Sequence, residues 1–249
     1  MARIRLVDLF VLGWFIACWA GYTFFADRKS RKTASLVVAM RLYRREWFKH
    51  VLQHENRIAD VAAFNSLLSG ATFFASTAIL VLGGLVAMLS TTERVIEVVA
   101  EMPFSRPQSE VFSRLQIILL IGVFVYTFFK FTWAIRQYHF CTILVGAAPL
   151  TQDLRDHDDY IDTMTQVASR AAEDFNQGLR AFYFAFAAIA WLFHPWLSVA
   201  SSGLVVYILH QREFQSGTLR ALTRTTTFGR ALHVPPEALT VPRLGARLA

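Results

Sequence analysis

Charge is scarce in this chain: Asp, Glu, Lys and Arg make up 17% of its 249 residues, against roughly 25% in soluble domains. So little charge cannot cover a sequence that is 55% hydrophobic, and lipid is the solvent that such an excess implies. Cysteine is scarcer still. Cys18 and Cys141 both lie in apolar stretches, with neither zinc-site spacing nor the density of a disulfide framework, so they read as packing residues. The chain also lacks a G-x-S-x-G elbow, a Walker loop, an H-E-x-x-H helix and a catalytic carboxylate pair, and its Asp-rich run over 153–162 matches no metal-binding loop. An enzyme is therefore unsupported, and no cofactor is expected. Acidic residues number 18 against 25 basic ones, for a net charge of +7. In a membrane protein such an excess reflects Lys and Arg held on the cytoplasmic side beside anionic headgroups, so no nucleic-acid partner is expected.

What is present is a series of apolar runs, each long enough for a bilayer core of about 30 Å, which takes about 20 helical residues. The first, Leu6 to Ala26, is followed by Arg28, Lys29, Arg31 and Lys32 and preceded only by Arg3 and Arg5. That asymmetry puts its C-terminal end in the cytoplasm, and it reverses the charge order of a cleaved signal peptide. The second, Ser66 to Ser90, carries two small-residue pairs, Ala71 with Ala75 and Gly83 with Ala87. Each pair falls on one helix face, as expected of a packing helix central in a bundle. The third, residues 115–136, places Lys130 near its far end. The fourth, Leu179 to His210, would reach about 48 Å as one straight helix at roughly 1.5 Å per residue. His194 and Pro195, flanked by Trp191 and Trp196, predict a turn there, with Pro in the first turn of the next helix.

The fold class is thus all-α, a polytopic transmembrane helical bundle. Five spans (about 6–26, 66–90, 115–136, 176–193 and 196–214) are favoured, because they put Arg212, Arg220, Arg224 and Arg230 on the same side as residues 27–65 and 136–178. Four spans stay open, since a Pro-kinked helix is ordinary in membranes. With five, the N-terminus is outside and the C-terminus cytoplasmic, in a bacterial inner membrane. Two amphipathic cytoplasmic helices are expected as well. Residues 34–65 repeat Met40, Tyr43, Trp47, Val51, His54, Ile58 and Val61 at helical spacing among Arg and Lys, and residues 158–178 repeat Ile161, Met164, Ala168, Ala171 and Phe175. The acidic cluster of Asp153, Asp156, Asp158 and Asp159 suits a helix start, and an acidic and a basic helix on one side can dock. Loop 91–114 has no evident pattern. Residues 1–214 make one domain without internal repeats, and the basic tail 215–249 is expected to be disordered.

Several segments together resemble a bacterial membrane-protein family known as domain of unknown function 599. The likeness is carried by His54-Glu55-Asn56-Arg57-Ile58-Ala59-Asp60, by Phe73-Phe74-Ala75-Ser76-Thr77 with Gly83-Gly84, by Lys130-Phe131-Thr132-Trp133 with Arg136, and by Asn176 through Phe184. It covers most of the chain up to the tail and implies a multi-span inner-membrane protein. The resemblance carries no catalytic residue with it.

Candidate residues follow from polarity in apolar surroundings. Glu55, Asn56, Arg57 and Asp60 are the densest polar group, with Arg57 and Asp60 spaced for a structural salt link. Lys130, Arg136 and Arg180 fall at the cytoplasmic interface, where they would snorkel, bind a lipid phosphate or pair with Asp60 and Asp174. Ser76, Thr77 and Asn176 would cross-link helices or line a polar path. Glu46, His50 and His54 are spaced by four, a weak metal pattern that His157 with Asp153 or Glu173 would complete. Amphipathic packing accounts for those histidines equally well. Three readings follow: a non-enzymatic bundle acting through a protein partner or self-association, a small transporter or channel subunit lined by Ser76, Thr77, Asn176 and Lys130, and a membrane-surface lipid-modifying or metal-dependent enzyme using His50 and His54.

Overall fold

The computed structural model describes residues 6–30, 35–101, 110–151 and 157–224, and the elements among them are all α-helices. In chain order they are α1 (Leu6–Ser30), α2 (Leu36–Gln53), α3 (Ile58–Ser90), α4 (Thr92–Ala100), α5 (Glu110–Ala147), α6 (Asp158–Phe193), α7 (Pro195–Phe214) and α8 (Gly217–Arg224). Arg3, Arg5, Arg31, Lys32, Pro103, Arg106, Pro107, Asp153, Asp156 and everything after residue 224 lie outside the described residues, and so do the expectations that rest on them.

Arg28 and Lys29 close the last turn of α1, where positive charge favours the negative end of the helix dipole. Ser35 caps α2, its Oγ accepting the Val38 N–H at 3.4 Å, and Ala39, Phe48, Val51 and Leu52 form the buried face. The helix stops at Gln53 instead of running to residue 65 as its periodicity predicts. Asn56 supplies the reason: its Oδ1 accepts the N–H of Ile58 at 3.0 Å, a local bond that competes with helix continuation, and α3 starts afresh at Ile58.

Other boundaries also depart from expectation. α5 continues past residue 136 to Ala147, because Ala134, Tyr138, Cys141 and Val145 extend its buried stripe. The amphipathic segment 158–178 and the arm 176–193 fuse into the single helix α6. Loop 91–114 contains α4, whose first residue bonds back through its hydroxyl to the Met88 and Leu89 carbonyls. The start of the tail is ordered as α8: Ser216 Oγ accepts the Leu219 N–H at 3.1 Å, Leu219 is buried, and Tyr43 of α2 donates to the Leu222 carbonyl at 3.3 Å.

The turn predicted at His194 is present. Its backbone is extended, its side chain accepts the Trp196 N–H at 3.3 Å, and Pro195 sits in the first turn of α7, which returns alongside α6. α5 lies at the centre, with α3 on one side and α6 on the other, while α7 packs on α6 and α1 packs on α7. α3 is therefore peripheral and not central. Its Ala71, Ala75 and Ala78 are buried, whereas Gly83 and Ala87 face outward.

Two cores result, one toward each end of the long helices. The first joins α2, the start of α3, the end of α5 and the start of α6 through Phe48, Val51, Phe64, Tyr138, Val145, Ile161 and Met164. The second joins α1, the end of α3, the start of α5 and the end of α6 through Phe15, Leu85, Ile117, Phe124 and Phe184. Between them the rings of Phe74 and Phe131 stack at 5.3 Å, with Phe175 at 5.6 Å from Phe131. Gly178 is needed at this joint, since a Cβ there would lie 2.8 Å from the Phe131 ring. Leu6–Ala26, Ile58–Ser90 and Val111–Ala147 are long and apolar enough to cross a membrane.

Candidate functional site

The densest polar construction is the junction between α2 and α3. Asp60 is buried in the first turn of α3, where an acidic group complements the helix dipole. Its two oxygens are both taken: Trp47 donates its indole N–H to Oδ1 at 2.8 Å, and His54 meets Oδ2 through Nδ1 at 2.9 Å. Trp47 is held for this by stacking on Phe48 and Phe64 at 5.4 and 5.0 Å. Facing a carboxylate, the His54 Nδ1 acts as donor.

Arg57 does not pair with Asp60. Its guanidinium donates to the carbonyls of Val51 at 3.1 Å, Val145 at 3.3 Å, Pro149 at 2.9 Å and also Ala148. One side chain thereby ties together carbonyls at the C-terminal ends of α2 and α5. The Thr151 N–H adds a second link, donating to the Leu52 carbonyl at 3.0 Å. Glu55 is exposed at the turn and Asn56 caps as described.

Beside this junction the basic and acidic helices dock. Arg45 of α2 reaches Asp162 at 2.9 Å and Asp158 at 3.2 Å on α6. Burial lowers the Arg45 pKa, but the two aspartates outweigh it and leave it raised. Arg44 is more deeply buried, and desolvation lowers its pKa against the raising effect of Tyr138 and Glu173. Burial raises the Tyr160 pKa, with Arg57 opposing, while its hydroxyl donates to the Leu144 carbonyl at 2.7 Å.

A second set of polar groups forms a belt around the middle of the molecule. Asp174 of α6 receives Lys130 of α5 at 2.9 Å and is also the acceptor for the Gln137 amide. Arg180 of α6 pairs with Glu213 of α7 at 2.8 Å, and Tyr22 of α1 donates to the other oxygen of Glu213 at 3.1 Å. Lys29 lies 3.2 Å from His210 and 4.5 Å from the Phe214 ring. Arg136 stacks over Trp133 at 5.4 Å and Phe140 at 5.7 Å.

The candidate residues therefore fall into three separate places. Glu55, Asn56, Arg57 and Asp60 share the junction; Lys130, Arg136 and Arg180 share the belt. Ser76 is exposed on the outer face of α3, Thr77 donates to the Phe73 carbonyl of its own helix, and Asn176 is half-buried on α6. These three do not line one path with Lys130. His50 and His54 do not act together either: His54 is the C-cap of α2 and engages Asp60, and His50 is exposed. Among the described residues no group of three or more His, Cys, Asp or Glu side chains is placed to hold a metal.

Of the pairings of Lys130, Arg136 and Arg180 with Asp60 or Asp174 that the sequence suggested, the structure makes Lys130 with Asp174, and Trp47, Gln137, Tyr22 and Glu213 were not among the candidates. Only Glu213 carried a signal, as an acidic residue at the end of an apolar stretch. A family model described as a protein of unknown function, DUF599, matches residues 10–218. No curated protein and no solved structure matches the chain.

Proposed function

The chain belongs to the DUF599 family, whose function is unknown, and on that footing we propose that it is a five-span inner-membrane scaffold acting by association, with a protein partner or with another copy of itself. The association surface is the four-helix end built on α2. The observation that carries this is the first core. α3, α5 and α6, with 33, 38 and 36 residues, extend for about 50 to 57 Å at 1.5 Å per residue. A hydrocarbon core of about 30 Å leaves roughly 20 Å or more of each outside. Those extra turns are closed over their own apolar residues together with α2, which is more structure than anchoring alone requires.

Orientation follows from charge. Lys29, Lys130, Arg180 and Arg212 all sit at the same end of the apolar segments, and the positive-inside bias assigns that end to the cytoplasm. α7, with 20 residues, is about 30 Å long, and it forms the last two spans with the apolar half of α6. In a chain with Cys18 and Cys141 replaced by Ala, Gln215→Cys is expected to react with a membrane-impermeant maleimide only from the cytoplasmic side. Reaction from the outside would return the count to four.

Association has its own test. A photo-crosslinking side chain at Met40, His50 or Asp159, all exposed on the four-helix end, is expected to give one discrete adduct in cells, while the same group at Leu80 on α3 gives lipid adducts only. No discrete adduct from any of the three positions would sink the scaffold reading.

One observation favours the transport alternative, away from the residues first suspected. Gln116 Oε1, Trp191 Nε1 and the hydroxyls of Ser198 and Ser202 are buried without hydrogen-bond partners among the described residues, and such atoms in an apolar core are sites for water or a polar solute. Solute flux in proteoliposomes that is abolished by Ser202→Val would favour transport over scaffolding.

A further inference from the structure

α5 and α6 run antiparallel, in a register fixed at two points: Lys130 against Asp174 and the Leu144 carbonyl against Tyr160. Counting along that register sets Arg170 level with residue 134, so Arg136 lies about 3 Å lower at 1.5 Å per residue. A groove opens between the two helices at this height, with Trp133, Phe140 and Arg170 in its wall. Both arginines are exposed, and among the described residues neither has a carboxylate at ion-pair distance. The guanidinium of Arg136 is held over the Trp133 and Phe140 rings, which leaves its N–H edges open to an acceptor.

We propose that this groove binds the phosphate of an anionic phospholipid, with Arg136 and Arg170 as the donors. Lys130 and Arg170 in the wall balance Glu173 and Asp174, with Asp174 already held by Lys130, and Arg136 adds its charge at the rim, over the Trp133 and Phe140 rings. One positive charge is left over, the counterpart of a phosphodiester. Arginine suits the task because its planar fork matches phosphate oxygens.

The apolar surroundings select a lipid over a free phosphate. Phe129 and Trp133, 64% and 54% exposed, lie on the side of the groove toward the hydrocarbon, where an acyl chain attached to the phosphate would run. Trp at this height also matches the headgroup level. The inference rests on the bilayer placement proposed above but not on association with a protein.

The test uses the full chain purified in zwitterionic detergent, with its melting midpoint followed as short-chain phosphatidylglycerol, short-chain phosphatidylcholine or inorganic phosphate is added. Phosphatidylglycerol alone is expected to raise the midpoint, by preferential binding to the folded state. Its apparent affinity is expected to fall at least about tenfold in the double variant Arg136→Gln, Arg170→Gln. The unliganded midpoint is expected to fall slightly with the loss of the Arg136 stack over Trp133 and Phe140, so each variant's shift is read from its own unliganded midpoint. Arg28→Gln, which removes an exposed cation of α1 held over Phe24, is expected to leave the affinity as it was. An equal shift with inorganic phosphate overturns the lipid in favour of a free anion. Equal shifts with both lipids, no effect of the double variant, or an equal loss in Arg28→Gln overturn the site. A chain that stays monomeric and compact without any detergent would overturn the bilayer placement instead, a result that none of the lipid outcomes can imitate.

Discussion

Arg180→Met is expected to destabilise the protein by about 3 to 5 kcal/mol, the loss that follows when one partner of a buried ion pair is removed. The side chains of Arg180 and Glu213 are 9% and 11% exposed, so the carboxylate left behind can recruit little water. Tyr22 would be its remaining donor at 3.1 Å, and one neutral hydroxyl does not replace a guanidinium. The double variant Arg180→Met, Glu213→Leu is expected to recover most of the loss, because it removes the desolvated charge along with its partner. Melting of parent, single and double variants in one detergent decides it. A single variant within about 1 kcal/mol of the parent, or a double variant as weak as the single, would show that the pair is solvated.

Arg57→Ala is the second large effect, about 3 kcal/mol on the scale of charge-assisted hydrogen bonds. The guanidinium makes four bonds to carbonyls around the ends of α2 and α5, and mobile water does not reproduce donors held in that fixed fork. Lysine keeps the charge but not the fork, so Arg57→Lys is expected to rescue less than half of the loss. Amide hydrogen exchange over Cys141–Ala147 offers a local readout, since loosening the end of α5 opens its last turns first. Full rescue by lysine would mean that Arg57 acts as a point charge on the helix dipoles and not as a clamp.

The apolar runs were legible because period and length are written into consecutive residues, and the turn at His194 was legible because Pro195 forbids helix continuation. The docking of α2 on α6 was also within reach, as complementary charge on two amphipathic faces, and Arg45 with Asp158 and Asp162 carries it. Less accessible was anything decided by a long-range partner. Arg180 meets Glu213 only because α7 folds back, and Asp60 turns from Arg57, three residues away, to Trp47 and His54 across the junction. Local spacing favours the i, i+3 salt link, whereas the two helix ends offer Arg57 more acceptors than one carboxylate does. The central place given to α3 failed for a related reason. Small residues permit close approach, but Ala71 and Ala75 use it against one neighbour while Gly83 faces outward. Likewise the continuation of α5 to Ala147 is set by what its stripe meets on α6, which composition does not show.

Gly178 brings the backbone of α6 against the Phe131 ring, with Phe74 stacked behind it. With no slack at that height, the joint between the two cores admits no side chain on α6 unless the Phe131 ring moves. A methyl group at that position is therefore expected to disturb both cores at once, because the ring it displaces is packed between them.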